Sequence, residues 1–327
     1  MADLESYIKL AKAVNGEKFT RPLLVMSMED ATASNGKPYV KLGLSDGTGK
    51  KLINRFDETC ENLRGKGVEE GSVVTVKLVK NGEFFNIIDI SPCKDESITP
   101  DDFVKMPPID CGVMYDEICA IIRASAQNDG EHVPLAELAL GILEKNKEAY
   151  MTSSAAITMH HNIKGGLLYH SYRMVKSADA LCGVYGILDR ELMVCGAALH
   201  DIGKIWEYDT NEMGDASENP VGVLYGHLYI GANYVRSEAN NTNCPPEKVK
   251  LLVHMILSHH GMQEWGTVVC PATAEAFALH YIDNMDAKIY ACEDNYALLE
   301  PCTVTEKRPF GLDNRIYKPG WLSDSGK

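Results

Sequence analysis

Residues 195–205 read CGAALHDIGKI and place the adjacent pair His200 and Asp201 directly after an apolar stretch of helical character. Burying two ionisable side chains at the end of an apolar helix costs free energy unless a strong partner is present. A lone histidine on such a helix usually packs or finds one hydrogen-bond partner, but an adjacent histidine–aspartate pair is better explained by a metal ion. The stretch therefore predicts a helical domain built around a metal site.

Further histidines and aspartates recur in helical stretches on both sides of this pair. Nine of the ten histidines lie between positions 160 and 280. A helical bundle can direct such side chains from several helices into one central cavity. Imidazole and carboxylate together suit Mn²⁺, Fe²⁺, Co²⁺ or Zn²⁺. The stretches are GGLLYHSYRMV at 165–175, YGHLYIGANYV at 225–235, VHMILSHHG at 253–261 and LHYIDNMDA at 279–287.

The N-terminal part of the chain has the pattern of a β-domain. Short segments rich in β-branched and aromatic residues alternate with turn signals such as DGTG at 46–49, and a helical patch at 57–64 follows the third segment. Five strands with a helix after the third are the element order of an OB barrel, a fold often used for oligonucleotides. The predicted strands cover residues 23–28, 39–44, 51–56, 73–79 and 83–90.

The remainder of the chain is helical. Residues 91–110 hold four prolines and five acidic residues, which favours a linker, and apolar residues at three- and four-residue spacing follow from Cys111. The predicted helices include 167–182, 189–201, 223–238, 246–259 and 272–298. We therefore expect a multidomain α+β protein with a five-stranded OB β-barrel at 1–95, a linker at 96–110, an all-α bundle at 111–300 and an irregular tail at 301–327.

Composition and charge restrict the partners. The apolar runs are too short to span a bilayer, and ten single cysteines without a CxxC pair favour reduced thiols and a cytoplasmic location. The net charge of −14 is uneven, because residues 1–94 carry +1 and residues 95–327 carry −15. A polyanionic partner would have to be held by the first segment, by a local patch or by bound cations.

The motifs resemble a known enzyme family. ALHDIGKI resembles the signature of the HD phosphohydrolase superfamily, an all-helical bundle with a metal site, and the order H…HD…H…HH…D resembles its binuclear members. Together with the barrel segment NGKPYVKLGLSDGTGK and the tail FGLDNRIYKP, the chain is similar over nearly its whole length to YhaM-type exoribonucleases. The resemblance implies 3′–5′ hydrolysis of single-stranded RNA to 5′-mononucleotides. It leaves single-stranded DNA open as a substrate and suggests a homo-oligomer.

The resemblance also implies roles for individual residues. Asp201 would bridge two divalent ions, with Mn²⁺ as the first choice, and Lys204 would neutralise charge on the scissile phosphate. His254 stays open as an alternative ligand, because positions 254 and 259 are five apart and would not share a helix face. The implied ligands are His170, His200, Asp201 and Asp283 for one ion, and Asp201, His227, His259 and His260 for the other.

Some neighbouring positions qualify this set. Gly166 stands where some binuclear relatives carry a glutamate, which weakens the expectation of two ions. The chain lacks a GYP segment, which disfavours a cyclic dinucleotide as the substrate. His280 and Asp286 share a helix face with Asp283 and are predicted to orient a ligand. The pair at positions 160 and 161 is predicted to cap or pack.

Candidate RNA contacts lie at the two ends of the chain. In YVKLGLSD, Tyr39 and Lys41 alternate with apolar residues, so that an aromatic ring can stack on a base while an ammonium meets a phosphate. The full set of expected RNA contacts is Tyr39, Lys41, Phe56, Arg315, Tyr317 and Lys318.

Two other hypotheses for the function remain open: an HD phosphohydrolase acting on small or cyclic nucleotides, and a non-catalytic nucleic-acid-binding regulator.

Overall fold

The computed structural model describes residues 4, 7–48, 50–156, 163–211 and 216–322. The chain forms two compact units, Met1–Lys105 and Met106–Lys327. The histidine pair at 160 and 161 lies outside the described residues. Among the residues described, no helix combines the length and the apolar character needed to cross a membrane.

The first unit is a five-stranded antiparallel sheet with the strand order β3-β2-β1-β4-β5. Helix α1 (Cys60–Gly65) connects β3 to β4 and is capped by Thr59, whose side chain accepts a hydrogen bond from the backbone N–H of Asn62. This is an OB-like fold, as predicted. The strands are β1 (Lys18–Thr32), β2 (Pro38–Ser45), β3 (Lys50–Phe56), β4 (Val73–Asn81) and β5 (Phe84–Pro92).

Strand β1 is longer than the predicted 23–28, and Pro22 is the reason that its first residues were not predicted as strand. A proline inside a run normally argues for the end of a strand, yet here Pro22 lies opposite Thr75 within the β1–β4 pair. Strand β2 follows the predicted alternation, since Val40, Leu42 and Leu44 are fully buried. A side-chain hydrogen bond connects the two edge strands, β3 and β5: the Arg55 guanidinium donates to the Ile87 carbonyl at 2.9 Å.

A buried ion pair ties the N-terminal turn to this sheet. The Arg21 guanidinium is 1% exposed and donates to the carboxylate of Asp46 at 3.2 Å and to the carbonyl of Ile8 at 2.7 Å. The Asp46 carboxylate also accepts from the backbone N–H of Leu10 at 2.7 Å. Both buried charges are therefore paired and hydrogen-bonded, which is the condition under which burial of an ion pair is tolerated.

Part of the predicted linker is packed. The side chain of Thr99 and that of Asp102 form a capping box around the 3-10 turn Pro100–Phe103, and the Phe103 side chain is 2% exposed. This turn belongs to the first unit. The second unit then begins in sequence with helix α2, which Asp110 caps by accepting from the backbone N–H of Val113.

The second unit is a helical bundle around α6. Every residue of α6 from Glu191 to Leu199 is buried, and α2, α3, α5, α9 and α10 all pack against it. The residues that directly follow α6 therefore lie in the interior of the unit. The helices are α2 (Cys111–Ser125), α3 (Leu135–Lys145), α4 (Lys147–Thr152), α5 (Gly166–Cys182), α6 (Arg190–Leu199), α7 (Lys204–Glu207), α8 (Pro220–Ala239), α9 (Pro246–Ser258) and α10 (Ala274–Tyr296).

Two small β-elements were missed in the sequence. A hairpin of β6 (Tyr208–Thr210) and β7 (Ala216–Glu218) follows α7. In the tail, which was expected to be irregular, Val304 and Tyr317 form an antiparallel bridge, and the Lys318 backbone exchanges hydrogen bonds with Cys302 and Thr303 at 2.9 Å each. These segments are too short for a hydrophobic period to reveal them.

The buried ion pair gives a stability prediction. Asp46→Ala should lower the free energy of unfolding of the first unit by about 3–5 kcal/mol, because it leaves the Arg21 charge buried without its partner. Hydrogen–deuterium exchange of the strands in urea would measure this. All three tryptophans, at 206, 265 and 321, lie in the second unit, so their fluorescence transition should not move.

The matched control is Glu29→Ala. Glu29 pairs with Lys41 at 3.4 Å on the exposed face of the sheet, where an ion pair contributes at most about 1 kcal/mol. Equal effects of the two substitutions would contradict the role assigned to the buried pair.

Candidate metal centre

Five imidazoles and two carboxylates meet around one cavity of the helical unit, which has a volume of about 250 Å³. His170 lies in α5, and Asp283 lies in α10. Because α6 is fully buried, His200 and Asp201 leave its end inside the bundle, at 0% and 2% exposure. The cavity is lined by Ala155, Ala156, His170, Asp201, Lys204, Tyr208, His227, His259, His260, Asp283 and Ala287.

Glycines bring the other histidines to this cavity. Gly226 has φ of 66° and breaks α8, so that His227 begins its second helical segment. The backbone of Gly203 packs directly on the His227 carbonyl and on Gly231, and a Cβ at 203 would overlap both. His259 and His260 follow the last residue of α9. The sequence HDIGK thus needs its glycine for the close approach of α7 and α8.

All five imidazoles are oriented in the same way. Each uses Nδ1 to donate a hydrogen bond to an oxygen atom, so Nε2 is the ring nitrogen that could bind a metal ion. The acceptors are Asp286 Oδ2 for His170 at 2.8 Å, the Ala197 carbonyl for His200 at 2.9 Å, Glu207 Oε1 for His227 at 3.0 Å, the Ile256 carbonyl for His259 at 2.8 Å and the Trp265 carbonyl for His260 at 2.9 Å.

The Nε2 atoms approach one another in pairs. His170 and His200 place their Nε2 atoms 3.1 Å apart, and His227 and His260 place theirs 3.2 Å apart. With both Nδ1 atoms donating, a metal ion near the two Nε2 atoms of a pair could be bound by both rings. The arrangement therefore fits a divalent metal, which takes imidazole nitrogen and carboxylate oxygen without a thiolate.

The carboxylate of Asp201 lies between the two groups of rings. Its Oδ2 is 3.4 Å from His200 Nε2 and 2.7 Å from Lys204 Nζ, whereas its Oδ1 is 3.5 Å from His259 Nε2 and 3.6 Å from His227 Nε2. Oδ1 is buried and accepts no hydrogen bond. An orphaned carboxylate oxygen at this depth is costly, so its position also fits a cation.

The two groups differ in their electrostatics. Burial alone would lower the pKa of His170, but hydrogen bonds to Asp283 and Asp286 outweigh it and raise this pKa to about 10. Burial, reinforced by the neighbouring rings of His259 and His227, lowers the pKa of His260 to about 3. One group is therefore rich in carboxylates, whereas burial lowers the pKa of both His259 and His260 in the other.

The pKa of Asp201 is also displaced. Burial by itself would raise it, but the positive charge of Lys204 and the proximity of His200 hold it well below its usual range. The pKa of Asp283 is lowered against the effect of burial, chiefly by its hydrogen bond with His170. Both carboxylates are therefore ionised acceptors facing the cavity.

Outer carboxylates fix the rings. Asp286, predicted as an orienting residue, accepts from His170 with one oxygen and from Arg173 Nε with the other at 2.5 Å. Glu207 accepts from His227 in the same way, and no sequence pattern predicted a role for it, although it follows the HDIGK stretch by three residues. His280 donates to the carbonyl of His259 at 2.8 Å and so supports the chain rather than a ring.

The structure corrects two residues. His254 is in neither the cavity lining nor the groups of possible ligands found among the described residues, and its Nε2 accepts from the backbone N–H of Ala272 at 3.0 Å. Of the two alternatives, the pair His259 and His260 lines the cavity and His254 does not. Lys318 is 4% exposed and donates to the Leu299 carbonyl at 2.8 Å, so it is not available to a nucleic acid.

The other expected RNA contacts are at the surface. Tyr39 and Phe56 are cross-strand partners on β2 and β3, with ring centroids 5.4 Å apart and Phe56 53% exposed. Lys41 lies on the same face and pairs with Glu29. In the tail, Arg315 and Tyr317 are exposed, although Arg315 Nε donates to the Thr305 carbonyl at 2.7 Å.

The helical unit, with its clustered histidines and aspartates, is an HD domain: residues 167–288 match that family. The whole chain belongs to the family of YhaM 3′–5′ exoribonucleases. It is 32% identical over 312 residues to the protein of that name from Bacillus subtilis, 32% over 314 residues to that of Bacillus licheniformis, and 31% over 310 residues to that of Bacillus velezensis. Each alignment covers 93% of this chain and 96% of the relative. The chain is therefore a hydrolase, of the nuclease or phosphohydrolase class.

The geometry gives a prediction for metal binding. His259→Ala should weaken Mn²⁺ binding by more than the roughly 10–100-fold that loss of an outer partner costs, because the ring itself faces the cavity. His254→Ala removes the same side chain from the same region, and its Mn²⁺ affinity should remain that of the wild type. Calorimetric titration with Mn²⁺ measures both, and comparable weakening in the two variants would overturn the choice between these residues.

Proposed function

We propose that this chain is a metal-dependent 3′–5′ exoribonuclease that shortens single-stranded RNA and releases 5′-mononucleotides. The observation that carries the proposal is the Asp201 carboxylate, whose two oxygens face separate groups of Nε2 atoms in one cavity. The direction of degradation and the RNA substrate follow the name that the Bacillus relatives carry. Single-stranded DNA stays open as a substrate, and a cytoplasmic location and a homo-oligomer stay predictions.

The residues that would hold the ions form two groups, and Asp201 belongs to both. Bound divalent ions, with Mn²⁺ as the first choice, would supply an activated water and neutralise charge on the phosphoryl oxygens. Carboxylates make the first group suitable for Mn²⁺, whereas the second group offers mainly imidazole nitrogen. The first group is His170, His200, Asp201 and Asp283, and the second is Asp201, His227, His259 and His260.

The cavity favours direct attack by water. Among the described residues that line it there is no serine, threonine or cysteine, so none of them offers an aliphatic hydroxyl or a thiol for a covalent intermediate. Lys204 lines the same cavity with its Nζ 2.7 Å from Asp201 Oδ2. An ammonium in this place would contact the scissile phosphate and reduce its negative charge.

The β-unit would supply capture of the strand. The outer face of β2 and β3 presents the tilted ring pair of Tyr39 and Phe56, with Lys41 on the same face. Strands 2 and 3 form the usual oligonucleotide-binding face of an OB fold, and exposed aromatic rings beside a cation are the usual combination for single strands. Arg315 and Tyr317 of the tail remain candidates for a second contact.

Digestion of end-labelled RNA in Mn²⁺ tests the function. The wild type should produce a one-nucleotide ladder from the 3′ end, a 3′-phosphate block should slow it, and a 5′ block should not. Asp201→Ala should abolish the ladder, because one carboxylate serves both groups of ligands. Cleavage of small nucleotides without any ladder would instead favour a phosphohydrolase, and equal cutting of a circular RNA would exclude an exonuclease.

Substitutions on the β-unit test strand capture. Phe56→Ala should weaken RNA binding by about 1–3 kcal/mol, the contribution of one stacked base, and leave hydrolysis of the p-nitrophenyl ester of uridine 5′-monophosphate unchanged. Phe84→Ala is the matched control, since Phe84 is 76% exposed in β5 of the same unit and lies outside the ring pair. The proposal for this face fails if both variants bind RNA equally.

A further inference from the structure

Hydrolysis of RNA requires stabilisation of a poor leaving group, and the following inference rests on the proposed function. A bond forms between the water oxygen and phosphorus, and the bond from phosphorus to the 3′-oxygen breaks with its electron pair going to that oxygen. The 3′-oxygen then acquires one of the two protons that the water brings, so no further reactant is needed. A ribose alkoxide carries concentrated charge as it departs, and a positioned hydrogen-bond donor lowers this barrier.

Most side chains that line the cavity cannot act as this donor. The imidazoles are the proposed metal ligands, Asp201 and Asp283 are ionised, and the alanines are apolar. Two donors remain among the described lining residues, Lys204 and Tyr208. The Nζ of Lys204 is held by Asp201 Oδ2 at 2.7 Å, beside the phosphate position proposed above.

Tyr208 is held firmly at the edge of the cavity. Its backbone N–H donates to the carbonyl of Lys204, and as the first residue of β6 it pairs with Glu218 of β7. Its hydroxyl lies beside the Glu207 carboxylate, which already accepts from both the backbone and the ring of His227. Burial, together with this carboxylate, raises the pKa of Tyr208, so the phenol keeps its proton.

We propose that Tyr208 is a catalytic residue that donates a hydrogen bond to the leaving 3′-oxygen. Among the described lining side chains the phenol is the uncharged donor, whereas Lys204 and the candidate metal ligands would contact the phosphoryl group under the proposed function. A neutral donor suits an oxygen whose charge appears only as the bond breaks, because it is not drawn to the ground-state phosphate charge.

Two substrates that give the same product distinguish donation to the leaving oxygen from other roles of Tyr208. RNA ending in uridine and the p-nitrophenyl ester of uridine 5′-monophosphate both release uridine 5′-monophosphate, but p-nitrophenolate leaves readily without a donor. Tyr208→Phe should therefore reduce kcat on the RNA by roughly 10²-fold, the usual cost of one transition-state donor, and leave kcat on the ester within a few-fold of the wild type. KM for RNA and the bound Mn²⁺ should not change.

Tyr225→Phe is the matched control. It removes a phenolic hydroxyl from a tyrosine that is 58% exposed and does not line the cavity, and both activities should persist. Equal losses of Tyr208→Phe on RNA and ester would assign Tyr208 to the phosphoryl group or to support of Glu207, and no loss on RNA would remove it from catalysis. Either result overturns the inference while the exoribonuclease proposal stands. A wild type that cleaves the ester and no RNA defeats the proposed function, and the inference falls with it.

Discussion

The buried carboxylate of Asp201 is the constraint on which the helical unit depends. An ionised carboxylate at 2% exposure carries a desolvation penalty of several kcal/mol unless it is compensated. Lys204 compensates one oxygen, and the other oxygen, which has no hydrogen-bond partner among the described residues, faces the rings of His227 and His259. The buried segment of α6 and the tight packing of Gly203 on α8 fix the position of this group. A cation bound beside Asp201 would therefore stabilise the bundle, because it would remove a penalty that the fold otherwise bears.

The groups that accept hydrogen bonds from the Nδ1 atoms determine how basic each imidazole is toward a metal ion. Three rings are fixed by backbone carbonyls of their own or the following turn, and these have no charge to contribute. His170 and His227 are fixed by Asp286 and Glu207, so negative charge reaches the ligands through these two rings. A ring that donates to a carboxylate is a stronger base toward a metal than one that donates to a carbonyl. The two groups of ligands are thus unequal in charge and basicity, although both contain imidazole.

The element order of the β-unit and the helices around the cavity were predictable from sequence because they rest on local periodicity and turn residues. The geometry was harder to foresee. His254 has the same helical context as the true neighbours of the cavity, and only the end of α9 at Ser258 separates them. Lys318 looks like a surface cation in a polar tail, but a backbone pairing buries it. Glu207 and Tyr208 carry no spacing signal, since their positions depend on a short hairpin and on the break at Gly226.

Charge decides the order in which the centre can meet a polyanion. Residues 95–327 carry a net −15, and four carboxylates, those of Asp201, Asp283, Asp286 and Glu207, converge on the cavity or on its rings. Lys204 is the one lysine or arginine among the described lining residues, and Asp201 already pairs with it. A phosphodiester entering the metal-free cavity would therefore meet a repulsive potential that a single ammonium cannot offset. The β-unit, with a charge near zero over residues 1–94, imposes no such barrier. Under the proposed function, strand capture by the β-unit would not require metal, whereas engagement of the scissile phosphate would. Affinity for RNA at the cavity should then rise with metal occupancy by the same factor as metal affinity rises with RNA.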